Sequence, residues 1–145
     1  MTGPEARRRF VAARIARLAT ADAVGIPHVV PIVFAVDGDR MYSAVDAKPK
    51  RTWALRRLAN IRVNPRVAVL VDHYADDWST LWWARADGTA RVVGPDSSDG
   101  EHAIALLTAR YAQYATEPPT GPVVVIDVER WSGWSATPAD DTVVQ

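Results

Sequence analysis

Five cations lie close together near the middle of the chain, in the stretch "DAKPKRTWALRRL" (46–58). A phosphate or carboxylate suits such a cluster, because lysine offers a compact positive charge and arginine a fork of paired donors. Thr52 stands where a helix is predicted to begin, and a helix start turns free N–H groups and a positive dipole end towards an anion. Alternatively, the cations form the solvated face of an amphipathic helix; the charge pattern leaves both interpretations open. The cations are Lys48, Lys50, Arg51, Arg56 and Arg57.

The residues that usually perform catalysis are missing or badly spaced. The chain has no cysteine, and its three histidines, His28, His73 and His102, lack H-x-H or H-x-x-x-H spacing, so we expect no metal site. No G-x-S-x-G, Walker or dinucleotide-binding glycine pattern occurs. We predict no catalytic side chain; if a proton donor is needed, His73 or Tyr42 is the candidate. An enzyme of this composition would depend on a cofactor that the protein binds and orients.

Six tryptophans are a second unusual feature of the chain. Trp82 and Trp83 are adjacent in a predicted strand, and neighbouring residues of a strand point to opposite faces. One of the two is therefore expected to face the interior and the other to face outward. An outward tryptophan fits a subunit interface or the surface of a planar ligand, and the alternative is a ring that covers a loop.

Length and composition indicate one folded domain. The chain has 145 residues, of which 48% are hydrophobic, and a formal net charge of zero. We assign residues 1–137 to the domain and 138–145 to a flexible C-terminal tail. The neutral charge argues against general nucleic-acid binding, and the apolar runs are too short to span a bilayer. No signal-peptide pattern is recognised, so a cytoplasmic location is the expectation.

Hydrophobic periodicity predicts a mainly β protein with a few helices. About six antiparallel strand segments with hairpin connections favour a closed or nearly closed barrel of the α+β class. Pro31 cannot donate to a strand ladder, so its strand should lie at an edge or carry a bulge. Asp87 and Gly88 mark a bulge or a turn. The predicted helices cover 1–18, 50–63 (ended by Asn64 and Pro65) and 97–114; the predicted strands cover 16–22, 28–46 (a hairpin around Asp37 and Gly38), 66–74, 79–94 (one strand or a pair) and 122–136.

Four stretches, in this order and spacing, resemble one known family: "PHVVPIVFAVDGDRMYSAVD", "RRLANIRVNPRV", "WWARADGTARVV" and "VERWSGWSA". They are similar to the pyridoxamine 5′-phosphate oxidase-like split β-barrel proteins, and within these to the actinobacterial branch that uses the deazaflavin coenzyme F420. The resemblance covers roughly residues 10–136. It implies a six-stranded antiparallel split β-barrel (the FMN-binding split barrel) with flanking helices, and a homodimer with the cofactor at its interface.

The resemblance also implies which residues hold the cofactor. In the family, a basic pair seven and eight residues before the Asn-Pro that ends the helix grips the cofactor phosphate. The basic loop before the helix suits the phosphate or the acidic glutamate tail of F420. The ring of the cofactor lies along the hairpin strands, and the position of Trp83 reaches the ring or the phosphate. The implied cofactor-binding residues are Val30, Pro31, Ile32, Val33, Ser43, Ala44, Lys48, Lys50, Arg51, Thr52, Arg56, Arg57 and Trp83.

By this resemblance the protein is expected to be an oxidoreductase that transfers hydride from reduced F420 to a small electron-poor organic acceptor. Residues typical of true pyridoxal-specific oxidases are not evident near the C-terminus, which argues against that activity. FMN in the same scaffold is an alternative cofactor, but it has one phosphate and no glutamate tail, so Lys48 and Lys50 favour F420. A non-enzymatic flavin or haem carrier also stays open, because it needs no catalytic side chain either.

Overall fold

The computed structural model of the protein describes residues 1–45 and 52–137. The loop residues 46–51 and the predicted tail 138–145 lie outside the described residues. The helices are α1 (Gly3–Ala12), α2 (Thr52–Val63), α3 (Ser98–Arg110) and α4 (Ala112–Thr116), with a short 3-10 helix at Trp78–Thr80. The strands are β1 (Ala16–Ala21), β2 (Pro27–Ile32), β3 (Ala35–Asp37), β4 (Arg40–Ala44), β5 (Arg66–His73), β6 (Trp82–Val93) and β7 (Val123–Ser135).

The strands form one antiparallel sheet in the order β2-β1-β5-β6-β7-β4-β3. This mixed α+β architecture with flanking helices confirms the predicted fold class, but the sheet has seven strands where six were predicted. The additional strand arises in the run 28–46, where β2 pairs with β1 while β3 pairs with β4. Between β2 and β3, the Ser43 hydroxyl donates to the Val33 carbonyl (3.0 Å) and the Phe34 N–H donates to the Tyr111 hydroxyl (3.1 Å). Side chains therefore satisfy backbone groups where the ladder is interrupted.

Two local signals in the sequence are confirmed by the sheet. β2 is at one end of the strand order, so Pro31 lies in an edge strand, where a missing N–H donor is tolerated. β6 is a single strand rather than a pair, and its register with β7 shifts between Asp87 and Gly88, as a bulge requires. A Cβ atom on Gly88 would lie 2.1 Å from the Asp127 carbonyl oxygen, so glycine is needed for β6 and β7 to approach here.

The predicted helix over residues 1–18 is wrong beyond its first part, because α1 ends at Ala12. Residues 16–21 form β1, which confirms the predicted strand over 16–22; Ala16, Leu18 and Thr20 are buried while the residues between them are not. Pairing of β1 with both β2 and β5 satisfies its backbone on two sides. Strand pairing with distant residues therefore overrides the helical spacing of the apolar residues in this segment.

The predicted helix over residues 97–114 is also interrupted, because Tyr111 is extended (φ −117°, ψ 119°) between α3 and α4. Its hydroxyl lies 2.9 Å from the carbonyl oxygens of Arg14 and Phe34. The Arg110 guanidinium donates to the carbonyls of Val11 (3.0 Å) and Ala13. These contacts join the end of α3 to the end of α1 and to the chain that precedes β3, which a continuous helix would not allow.

The main core lies between the sheet, α1 and α2. Phe10 of α1 packs edge-on against Trp131 of β7, with ring centroids 5.3 Å apart, and Leu58 and Ile61 of α2 are buried in the same cluster. α3 covers the other face of β4 and the first half of β7, where Leu107 is fully buried. Among the described helices, none combines the length and the apolar character needed to cross a membrane.

Candidate functional site

Helix α2 places two adjacent arginines in different environments. Arg56 is exposed, whereas Arg57 has only 6% of its surface exposed. Burial is the main reason that the pKa of Arg57 lies below its ordinary value, since desolvation penalises the charged form; the nearby Tyr114 acts in the opposite direction. Nε of Arg57 is buried and has no hydrogen-bond partner among the described residues. A buried, cationic donor without a partner is a place where an anion would be stabilised.

The orientation of α2 is fixed by its packing on the face of the sheet that contributes to the main core, which is called the barrel side below. Leu58 and Ile61 enter the main core, and the Asn60 side-chain amide donates to the Thr20 hydroxyl of β1 at 3.1 Å, in a buried position. Arg57 lies one turn before Asn60 and is therefore held on the same inward side of the helix. The packing of the neighbouring residues of α2 therefore fixes the position of Arg57.

The predicted hairpin residues differ in what they expose. The side chains of Val30 and Ile32 are buried in the main core, and the side chain of Ala44 packs in a cluster with Leu107 of α3. Ser43 is 2% exposed and its hydroxyl is used to bind the Val33 carbonyl. Only Pro31 of these residues is exposed, on the outer face of β2. A ring lying along this hairpin would therefore meet Pro31, the half-buried Val33 and backbone atoms rather than the buried side chains.

Trp82 and Trp83 point to opposite faces of β6, as predicted. Trp82 packs against the main core with the Arg9 guanidinium 4.5 Å from its ring centroid. Trp83 precedes the fully buried Ala84 and faces outward, where it lies opposite Asp72 of β5 and Trp134 of β7. It lines a cavity of about 350 Å³ on the outer face of β5 and β6. The cavity is lined by Leu70, Asp72, Tyr74, Trp83 and Arg85.

The predicted cofactor residues do not all meet within one chain. Trp83 lies on the outer face of the sheet, whereas Arg57 lies with α2 on the barrel side. Pro31 shares the outer face with Trp83, but β1 and β5 separate their strands, which corresponds to about 14 Å. Lys48, Lys50 and Arg51 lie outside the described residues, and the backbone of Thr52 begins α2 as predicted.

Sequence analysis missed some residues whose side chains could contact a ligand. Arg85 and Tyr74 share the outer face with Trp83, and a period of two along β5 and β6 could have found them. Nδ1 of His28 is buried without a hydrogen-bond partner in the described part of the chain, and His28 pairs with Thr20 across β1 and β2.

The two candidate proton donors differ in their exposure, and the expected lack of a metal site is a separate question. His73 is exposed at the end of β5, whereas Tyr42 is 3% exposed and packs edge-on against His102, with centroids 5.5 Å apart. The described residues contain no group of three histidine or acidic side chains arranged to hold a metal ion. The absence of a metal site stays a prediction for the chain as a whole.

Comparison with known families identifies the class of protein that this sheet and these helices form. The family model described as pyridoxamine 5′-phosphate oxidase matches residues 3–135, and the chain belongs to this family. No curated protein matches the chain.

Solved structures carry the same fold. A FAD-binding protein from Mesorhizobium loti is 25% identical, with a TM-score of 0.68 over 92% of this chain and 94% of that one. The heme storage protein HutZ from Vibrio cholerae is 20% identical, with a TM-score of 0.70 over 91% and 92% of the two chains. A conserved hypothetical protein from Mycobacterium tuberculosis is 23% identical, with a TM-score of 0.71 over 94% and 86%. The fold thus occurs in proteins with different ligands, and the ligand here must be inferred from this chain's own residues.

Proposed function

We propose that the protein is an F420-dependent reductase that binds its deazaflavin cofactor at a homodimer interface and passes hydride to a small electron-poor organic acceptor. The observation that carries this proposal is the buried Arg57, whose Nε has no hydrogen-bond partner among the described residues. A folded protein rarely leaves a buried donor unpaired, and such groups often mark a ligand site. A cofactor phosphate would supply a negative charge and acceptor oxygens to the Nε–H of this guanidinium.

The choice of F420 over FMN comes from the sequence before α2. Lys48, Lys50 and Arg51 add three positive charges directly before α2 in the sequence, and they lie outside the described residues. F420 carries glutamate carboxylates beyond its phosphate, whereas FMN ends at the phosphate, so only F420 gives these charges a partner. The FAD-binding relative from Mesorhizobium loti, at 25% identity, supports the coarser statement that this fold accommodates a flavin-type cofactor.

The homodimer is proposed because one chain does not bring the predicted site together. Arg57 and Trp83 lie on opposite sides of the sheet. The outer face also exposes apolar side chains, among them Val29 (61%) and Trp134 (44%), as expected of a surface that a partner covers. In a two-fold dimer the outer face of one copy can lie next to the α2 helix of the other, and each site is then built from both chains.

The cofactor and the protein chain have separate roles in the proposed reaction. F420 would supply the hydride when it is bound, and the proton that the acceptor also takes would come from solvent. Arg57 would hold the cofactor phosphate, and the interface would orient the acceptor for transfer. No described side chain needs to act as a nucleophile.

A thermal-shift experiment with F420, FMN, FAD and haem, each added separately, tests the cofactor. At equal concentrations the ligand with the lowest Kd raises the melting temperature most, and we expect this ligand to be F420. A ligand at 100 times its Kd stabilises the protein by about 2.7 kcal/mol. The Lys48→Ala/Lys50→Ala double variant should lose affinity for F420 and keep its affinity for FMN. A larger shift with FMN or haem, or an equal loss for both cofactors in the double variant, would contradict the assignment of F420.

Steady-state oxidation of reduced F420 with a panel of quinones, enones and nitroaromatic acceptors then tests for catalysis. Turnover that saturates with the acceptor supports the reductase. Tight binding of F420 without turnover with any acceptor would identify a cofactor carrier instead. Size-exclusion chromatography with light scattering, performed with and without F420, tests the dimer.

A further inference from the structure

The outer-face cavity next to Trp83 has a chemical character different from that of the Arg57 position. We propose that this cavity binds a planar acceptor without negative charge, and that Asp72 is the residue that disfavours anionic acceptors. The inference rests on the proposed function only in taking the occupant to be the acceptor. Four of the cavity's five lining residues belong to the paired strands β5 and β6, and Tyr74 directly follows β5.

The apolar part of the cavity can accept a flat ring. Trp83 and Leu70 are half-buried and Tyr74 is 62% exposed, so all three present apolar surface to a ligand. An indole stacks on a planar ring with a gain beyond area burial alone. The volume of about 350 Å³ is near the lower limit for small-molecule sites and suits a molecule of one to three rings.

The positive charge next to Trp83 is already compensated. The Arg85 guanidinium carbon lies 5.5 Å from the Trp83 ring centroid, and its Nε donates to the Asp87 carboxylate at 2.9 Å. A guanidinium has five N–H donors, so Arg85 can still donate to a neutral carbonyl oxygen of the ligand. Because Asp87 balances its charge, Arg85 gives an anionic ligand little net attraction.

The negative charge of the cavity is less well compensated. Asp72 lies directly opposite Trp83 in the pairing of β5 and β6, which places the two side chains within about 4.5–5.5 Å at their Cβ atoms. Among the described residues, Oδ1 of Asp72 forms an ion pair with Nη1 of Arg17 at 4.0 Å, and half of the Arg17 side chain is exposed. An exposed pair at this distance is weak and screened by salt. An anionic group on a ring stacked against Trp83 would therefore be repelled by Asp72.

The two parts of the proposed site thus separate by charge. An anionic cofactor phosphate suits Arg57, whose buried Nε has no hydrogen-bond partner among the described residues, while a neutral ring suits the cavity at Trp83.

Calorimetric titration of the cofactor-free protein with two matched naphthoquinones tests the proposal without depending on turnover. The probes are 2-methyl-1,4-naphthoquinone, which is neutral, and 1,4-naphthoquinone-2-sulfonate, which is anionic. Covalent addition of the probes to thiols does not interfere, because the chain has no cysteine. We expect the neutral quinone to bind about tenfold more tightly or better, and Trp83→Leu to weaken it about tenfold. Trp78→Leu, which removes an exposed indole outside the cavity, is the matched control and should change nothing.

The decisive variant is Asp72→Asn. It should strengthen binding of the sulfonate about three- to tenfold, as expected when one unit charge about 5 Å away is removed at a partly exposed site, and leave the neutral quinone within about twofold. Asp76→Asn removes an exposed carboxylate in the loop that follows β5, outside the cavity, and changes the net charge equally, so it should have less than about a twofold effect.

Equal binding of the two quinones, no binding of the neutral one, or equal effects of Asp72→Asn and Asp76→Asn would overturn the proposal. If Trp83→Leu fails to fold by circular dichroism, the paired aspartate variants still decide the question. The predicted pattern of quinone binding in a protein that shows no thermal shift with F420 would support this cavity while refuting the proposed cofactor, so the two failures are distinguishable.

Discussion

Replacing Arg57 with methionine should stabilise the cofactor-free protein and at the same time weaken cofactor binding. The reason is that the guanidinium is 6% exposed, its pKa is lowered mainly by desolvation, and its Nε has no hydrogen-bond partner among the described residues. Methionine has a similar length and fills the same space without a charge. Opposite effects on stability and binding are typical of residues that a protein keeps for function.

The expected magnitudes follow from the two environments of the guanidinium. A buried unsatisfied donor costs about 1–3 kcal/mol, and replacing buried charged groups with apolar ones has been stabilising by about 1–4 kcal/mol elsewhere. We therefore expect the melting temperature of the cofactor-free protein to rise by roughly 3–8 °C. In the complex, losing hydrogen bonds to a charged group costs about 1.5–3 kcal/mol, which is roughly a 10- to 150-fold increase in Kd.

Calorimetry of unfolding and a fluorescence titration with F420 measure the two effects on the same variants. Arg56→Met is the matched control, because it removes an adjacent charge that is already exposed. Its stability should stay within about 0.5 kcal/mol of the unmodified protein, and its loss of affinity should be smaller than that of Arg57→Met. Arg57→Lys should bind F420 with intermediate affinity, because it keeps the charge and loses the fork of paired donors.

Two combinations of results would refute the reasoning. If Arg57→Met lowers the melting temperature and leaves the affinity for F420 unchanged, the guanidinium stabilises the fold and binds no phosphate. A rise in melting temperature with unchanged affinity would show that Arg57 is a buried charge that destabilises the fold and does not bind the cofactor.

Three further predictions concern the fold. Tyr111→Phe removes the hydroxyl that accepts from the Phe34 N–H at 3.1 Å, and should cost about 1–3 kcal/mol in a denaturant titration; a change below 0.5 kcal/mol would contradict this role. Gly88→Ala places a Cβ 2.1 Å from a backbone oxygen of β7 and should cost about 3 kcal/mol or more, with the exposed Gly94→Ala as a control with open space around it. The pKa of Asp99 is lowered mainly by its hydrogen bond from Arg91, so its stabilisation is present above the ordinary value of 3.8 and is lost as the pH falls through the folded value. Asp99→Asn should therefore flatten the fall in melting temperature between about pH 5 and pH 2, and an unchanged slope would show that the pair contributes nothing.

The parts of the fold that were predictable are those with strong local signals. Asn64 and Pro65 ended the predicted second helix within one residue of the end of α2, and the glycine at 88 marked the bulge in β6. Pro31 indicated an edge strand because proline lacks the N–H that an inner strand donates on both sides. Each of these signals depends on the chemistry of one or two residues, so no distant contact was needed to recognise it.

The boundaries that failed were decided by distant partners. Residues 16–18 fit a helical period, but their backbone groups pair with β2 and β5. Tyr111 fits the apolar face of a helix, but its hydroxyl bonds with backbone atoms near residues 14 and 34. The seventh strand also depends on which neighbour each half of the run 28–46 selects. Tertiary hydrogen bonds outweigh local propensities of a few tenths of a kcal/mol per residue.

For the candidate site, the sequence determined the residue types and their order along the chain. It placed a basic cluster before and within α2, and an outward tryptophan on a strand. Only the tertiary structure decided that Arg57 is buried while its neighbour Arg56 is exposed, because the direction of each side chain depends on which face of α2 packs on the core. Only the tertiary structure placed Asp72 opposite Trp83, since strand register is a property of pairing between distant segments and not of either segment alone.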